Sequence, residues 1–142
     1  MKRLNIFLLL IIGTLGCQSQ TNTAPHPILA AIQAGNLTKV QQFLEDNEDI
    51  NTSYAGYTLL CAAVKTDQKE IVEYLLENGA NMNKMSNEKT PLMYAAKYGR
   101  LAIAKILVQR GVDKKVENSR GRTALDYAYR YKKPKLIVFL SK

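Results

Sequence analysis

Thr90-Pro91-Leu92-Met93-Tyr94-Ala95-Ala96-Lys97-Tyr98-Gly99 decides the fold, because the chain says it four times. With Gly99 as the reference, Gly35, Asp67 and Lys132 fall in one column at spacings of 32, 32 and 33 residues. Ala31, Ala63, Ala95 and Ala128 form a second column, and Ile28, Leu60, Leu92 and Leu125 a third. Val40, Val72, Ala104 and Ile137 form a fourth, and Phe43, Leu75, Leu107 and Leu140 a fifth. A fixed period of this length marks stacked units that cannot bury an apolar face alone.

Each unit reads as a helix pair. The first helix is short, with alanines that allow close packing between units. The second carries apolar residues at i, i+3 and i+4, as in Val72, Leu75 and Leu76. Gly79 and Gly111 stand where a helix ends in a left-handed residue. Pro134 suits the first turn of the last helix. The second unit closes its helix with Leu75-Leu76-Glu77-Asn78-Gly79-Ala80-Asn81-Met82-Asn83, and the fourth opens with Gly121-Arg122-Thr123-Ala124-Leu125-Asp126.

These words resemble the ankyrin repeat family over about residues 26–142. The resemblance implies an all-α, ankyrin-type solenoid of four helix-turn-helix repeats joined by β-hairpin-like loops. The repeats are placed at about 26–57, 58–89, 90–122 and 123–142. The sequence departs from the family at the motif histidine, replaced by Leu29, Cys61, Met93 and Asp126. The hydrogen bond that this histidine gives between neighbouring repeats is therefore expected to be missing. His26 stands in the first unit's threonine column, before Pro27.

Residues 1–16 read as a leader. Lys2 and Arg3 precede an apolar run from Ile6 to Ile12 and a stretch of small residues. The run is too short for a spanning helix, which needs about 20 residues. Thr14-Leu15-Gly16-Cys17 resembles a bacterial lipobox, which implies lipidation of Cys17 as the mature N-terminus. Residues 17–25 then hold the lipidated cysteine and a polar, flexible tether. Gln18 after the cysteine favours an outer-membrane address facing the periplasm. With Cys17 lipidated, Cys61 has no disulfide partner and is expected in the core.

Composition argues against catalysis. The 142 residues include one histidine and two cysteines, with no Cys-x-x-Cys and no glycine-rich phosphate loop. A zinc site usually takes four such ligands. His26 is read at the linker and Cys61 in the core, so no nucleophile–base pair is visible. No enzyme activity, cofactor or metal is expected.

A binding face is expected where the family contacts its partners, on the hairpin tips and the exposed side of the first helices. The tips are 51–57, 83–89 and 114–122. Behind the alanine columns the paired positions read Gln33/Ala34, Lys65/Thr66, Lys97/Tyr98 and Arg130/Tyr131. Tyrosine and arginine are hot-spot residue types. Tyr57, Lys65, Lys89, Lys97, Tyr98, Arg120, Arg122, Arg130 and Tyr131 are the candidate contacts. Tyr98 and Tyr131 are read as groove rings outside the core.

Charge is divided along the chain. Residues 17–83 carry three Lys/Arg and eight acids, whereas 84–142 carry fifteen Lys/Arg and four acids. A basic end can steer an acidic protein or touch anionic lipid. The expectation is a monomer that binds an acidic protein partner, held to a membrane by lipid, without nucleic acid. An immunity or inhibitor protein that covers a toxic enzyme is one form. The alternative is an envelope-structural or stress-protective lipoprotein whose basic end meets anionic lipid or an exported enzyme.

Overall fold

The computed structural model describes residues 25–46 and 49–142. The leader, Cys17 and the tether up to residue 24 lie outside the described residues. Four helix pairs follow in order: α1 (Pro27–Gln33) with α2 (Leu37–Glu45), α3 (Leu59–Lys65) with α4 (Lys69–Glu77), α5 (Pro91–Tyr98) with α6 (Leu101–Gln109), and α7 (Ala124–Arg130) with α8 (Pro134–Leu140). First helices pack on first helices along the stack (α1 on α3, α3 on α5, α5 on α7), and second helices do likewise.

The start of each first helix is built by one device. Thr58, Thr90 and Thr123 accept a hydrogen bond from the backbone N–H three residues on, which satisfies an otherwise orphaned donor. In the first repeat the His26 ring does this work, accepting from the Ile28 N–H at 3.4 Å. Its ring also stacks on Tyr54 at 4.3 Å and meets the edge of Phe43. His26 is therefore part of the folded stack rather than of a linker. Asp126, in the motif-histidine column, closes a capping box on Thr123. The Thr123 N–H and hydroxyl hold its carboxyl below the usual range.

The alanine column lies at the centre of the stack. Ala63, Ala95 and Ala128 are fully buried, and Ala31 nearly so. Leu75, Leu107, Val72 and Ala104 are also fully buried, so the second-helix columns supply the rest of one continuous core. Cys61 is a buried free thiol in that core, and burial pushes its pKa up. Pro134 occupies the first turn of α8, and Gly79 and Gly111 are left-handed, as their positions require.

The hairpin loops differ from one another. β1 (Ser53–Tyr54) and β2 (Tyr57–Thr58) form an antiparallel pair, with Ser53 opposite Thr58 and Tyr54 opposite Tyr57. The next tip keeps only a bridge between Ser86 and Lys89. The third closes as a turn, with the Asn118 N–H donating to the Arg122 carbonyl.

Repeats are tied together without the motif histidine. Within the second repeat the buried Ser86 hydroxyl accepts from the Thr58 N–H at 2.8 Å and donates to Thr58 Oγ1. Asn51 Oδ1 accepts from the Asn81 N–H, and the Asn51 carbonyl accepts from Lys84. Arg100 reaches back to Asp67 and to the Lys65 carbonyl. Among the described residues no helix is long and apolar enough to cross a membrane.

Candidate protein-binding surface

The C-terminal turns of α3, α5 and α7, with the loops before them, carry most of the candidate residues on one surface. Tyr57 ends the hairpin, and its ring lies 5.9 Å from that of Tyr94 on α5. Tyr94 stacks on Tyr98 at 6.3 Å, with the two planes nearly parallel. The Lys97 ammonium stands 5.1 Å from the Tyr98 ring and 5.4 Å from the Tyr131 ring, so it bridges repeats 3 and 4. Tyr131 stacks in turn on Tyr127 at 6.2 Å. The chain of rings and cations thus runs unbroken from residue 57 to residue 131.

Two more lysines join it. Lys65 Nζ lies over the Tyr57 ring and donates to its hydroxyl at 3.1 Å. That ammonium lowers the Tyr57 pKa from its ordinary value. Lys89 Nζ stands 5.9 Å from the Tyr94 ring and donates to the Asn87 carbonyl. Cations over ring faces are attracted by the quadrupole. The rings therefore hold these ammonium groups in place on the surface, with no carboxylate in the chain.

The remaining candidates separate from this group. Arg120 is drawn into an ion pair with Glu88 at 3.7 Å, an exposed pair of small energetic weight. Arg122 packs at the same tip, where its N–H donates to Asn118 Oδ1. Arg130 is exposed at the end of α7. Tyr98 is half-buried and packs against the core. Tyr131 is 38% exposed.

Tyr94 and Tyr127 were not among the candidates, yet they join the surface rings to the core. Both are buried. The Tyr94 hydroxyl donates to the Ser86 carbonyl at 3.0 Å, and Tyr127 accepts from Asn118 Nδ2 at 3.1 Å. Each pins a first helix to the hairpin tip that precedes it. Burial pushes the Tyr94 pKa up. The signal was present in the sequence: Tyr94/Tyr98 and Tyr127/Tyr131 share the i, i+4 spacing that places side chains one above the other.

A family model for ankyrin repeats in three copies matches residues 2–86, and one for many copies matches residues 83–128. This chain belongs to the ankyrin repeat family. It is 45% identical over 112 residues to E3 ubiquitin-protein ligase Ufd4 of Drosophila melanogaster, covering 78% of this chain and 4% of that protein. It is 32% identical over 115 residues to an ankyrin repeat-containing protein of Treponema pallidum, covering 79% of this chain and 39% of that protein. It is 30% identical over 118 residues to E3 ubiquitin-protein ligase hecd-1 of Caenorhabditis elegans, covering 82% of this chain and 4% of that one. The chain spans between 4% and 39% of the length of these three relatives. The shared part is the ankyrin stack, a fold that serves as a protein–protein interaction module and is typically non-catalytic. No group of three or more metal-binding side chains occurs among the described residues.

Proposed function

We propose that this protein is a lipid-anchored binding module of a bacterial cell envelope, whose partner docks on the surface formed by α3, α5, α7 and their hairpins. The observation that carries the docking reading is the ring–cation chain from Tyr57 to Tyr131, which runs from the first hairpin to the end of α7 with no acid in it. Pre-ordered aromatic and cationic side chains lose little freedom on binding, and they suit a partner with an acidic surface. The anchor rests on the leader and the lipobox-like Thr14–Cys17. Two or more acyl chains hold a protein stably on a bilayer, where one binds marginally. In its most specific form the partner is a toxic enzyme whose active site the stack covers, as an immunity protein does.

Affinity capture from the host envelope with the full chain tests the docking reading, run beside Lys97→Ala/Arg130→Ala/Tyr131→Ala. One protein held by the native chain and lost with the variant is the expected result; identical capture by both sinks it. Mass spectrometry of the membrane-extracted protein tests the anchor. Acyl groups on an N-terminal Cys17 are expected, and an unmodified chain still beginning at Met1 would remove it. The immunity form predicts that deletion makes cells sensitive to their sisters, and an unchanged competitive index refutes it.

A second reading is favoured by repeat 4. Arg130, Lys132, Lys135 and Lys142 are exposed, and none is within ion-pair distance of an acid among the described residues. That end could face anionic lipid or cell wall in an envelope-structural or stress-protective role. Co-sedimentation of the non-lipidated Cys17→Ala chain with anionic vesicles at low salt tests it, and a chain left wholly in the supernatant removes it.

A further inference from the structure

Lys65, Lys97 and Arg130 occupy one column of the repeat, at spacings of 32 and 33 residues. Lys65 and Arg130 are the last residues of α3 and α7, and Lys97 is the last but one of α5. The three cations therefore form a row, one per repeat, stepped by the distance between neighbouring first helices. Helices pack about 8–10 Å apart, and nearer the lower end where contact residues are small. Here the contact column is alanine, fully buried in repeats 2 to 4. None of the three cations is within ion-pair distance of a carboxylate among the described residues. Lys65 and Lys97 are held over tyrosine rings rather than turned toward an acid.

The row ends on a cleft. Leu29, Ala62, Gln33 and the Tyr57–Lys65 pair line a hollow of about 320 Å³ between repeats 1 and 2. In the first repeat the cation column is occupied by Gln33, so charge stops where this partly apolar hollow begins.

We propose that the partner presents an extended acidic segment to this row, with a carboxylate at every third residue and an apolar side chain in the cleft beside Lys65. This rests on the first-helix face being the docking surface. Extended polyproline-II backbone has three residues per turn and a rise of about 3.1 Å, so every third side chain returns to one face after about 9.3 Å. That step matches closely packed helices. A flat strand alternates faces at every residue, which turns every other third residue away. A helix would need acids seven residues apart, a step of about 10.5 Å.

The test uses fluorescent synthetic peptides and the full chain in detergent at low salt, read by anisotropy. The first peptide carries leucine and then three glutamates at every third position of a proline-rich backbone. The second has the same composition with the glutamates adjacent. A third lacks the leucine, and a fourth is a helical peptide with acids seven residues apart. The spaced peptide is expected to bind about tenfold tighter than the adjacent one and severalfold tighter than the leucine-free one. Its advantage should vanish with Lys65→Gln/Lys97→Gln/Arg130→Gln, while the melting temperature stays within a few degrees.

Equal affinity for spaced and adjacent glutamates, unchanged affinity in the triple variant, or tighter binding of the helical peptide would each overturn the inference. Equal affinity without the leucine overturns the place given to the cleft. The envelope capture described above separates this failure from failure of the docking reading. A partner that is captured and lost with Lys97→Ala/Arg130→Ala/Tyr131→Ala, while the peptides fail to discriminate, overturns only the spacing. Capture of no protein overturns the docking reading, and the peptide comparison still decides the inference.

Discussion

Ser86 and Thr58 make a buried polar contact within the second repeat, between its hairpin tip and the start of α3. Ser86 is 2% exposed and accepts from the Thr58 N–H. Ser86→Ala leaves that buried donor without a partner, which costs about 1–3 kcal/mol. Urea unfolding followed by circular dichroism should show a loss of that size, and a change within error would mean water replaces the hydroxyl. Tyr57 offers a spectroscopic check of the surface. Lys65 lowers its pKa, so in an absorbance titration one phenol should ionise before the ordinary tyrosine range, near 10. Lys65→Met should move that step back up. The sign for stability follows: a folded pKa below the unfolded one adds stability as pH rises through the folded value and loses it as pH falls back through that value. A titration with no early phenol would place Lys65 away from the ring.

At the scale of the element, the turn between the two helices of each pair needs a left-handed residue. Gly35 and Gly99 provide it in repeats 1 and 3, while Asp67 and Lys132 are forced into it at φ of 65° and 52°. Left-handed backbone costs a residue with a Cβ roughly 1–2 kcal/mol. Lys132→Gly should therefore stabilise by about 1 kcal/mol after the greater freedom of glycine in the unfolded chain is offset. Asp67→Gly should gain less, because Asp67 also holds Arg100 at 3.1 Å. Thermal unfolding of both variants measures the difference, and equal gains would mean the ion pair contributes nothing. On the second helices, Leu75 is fully buried in α4, so Leu75→Ala should destabilise by about 2–5 kcal/mol. A loss below 1 kcal/mol in the same urea assay would show that α4 can collapse onto the gap.

The whole molecule is a stack whose stability comes from each repeat and from each junction. Ala95 sits fully buried where α3, α5 and α7 follow one another. Ala95→Leu should strain both junctions and cost about 1–3 kcal/mol by overpacking. Unfolding should also become less cooperative, seen as a lower urea m-value. An unchanged m-value would show that the four repeats stay coupled. Charge works at this scale too. The first half is acidic and the second basic, so docking of an acidic partner should weaken as salt shortens the Debye length from about 10 Å at 0.1 M. Affinity independent of salt would assign the binding energy to the rings instead.

The sequence by itself determined the ankyrin fold, most members of the core columns and the burial of Cys61. Those follow from periodicity, which is local and recurs four times, so each unit checks the others. It also marked most of the surface residues, because a column that faces outward in one repeat faces outward in the next. Only the tertiary structure decided which of them meet. Lys97 lies between Tyr98 of its own helix and Tyr131 of the following repeat, and Arg120 is taken by Glu88 from the preceding tip. His26 belongs to the stack because Tyr54 and Phe43 close over it. Tyr98 is half-buried because Tyr94 and Lys97 pack around it. Such pairings join residues as much as 34 positions apart, and they depend on the height and twist with which one repeat sits on another. No period in the chain encodes that register; side-chain packing between α3, α5 and α7 sets it.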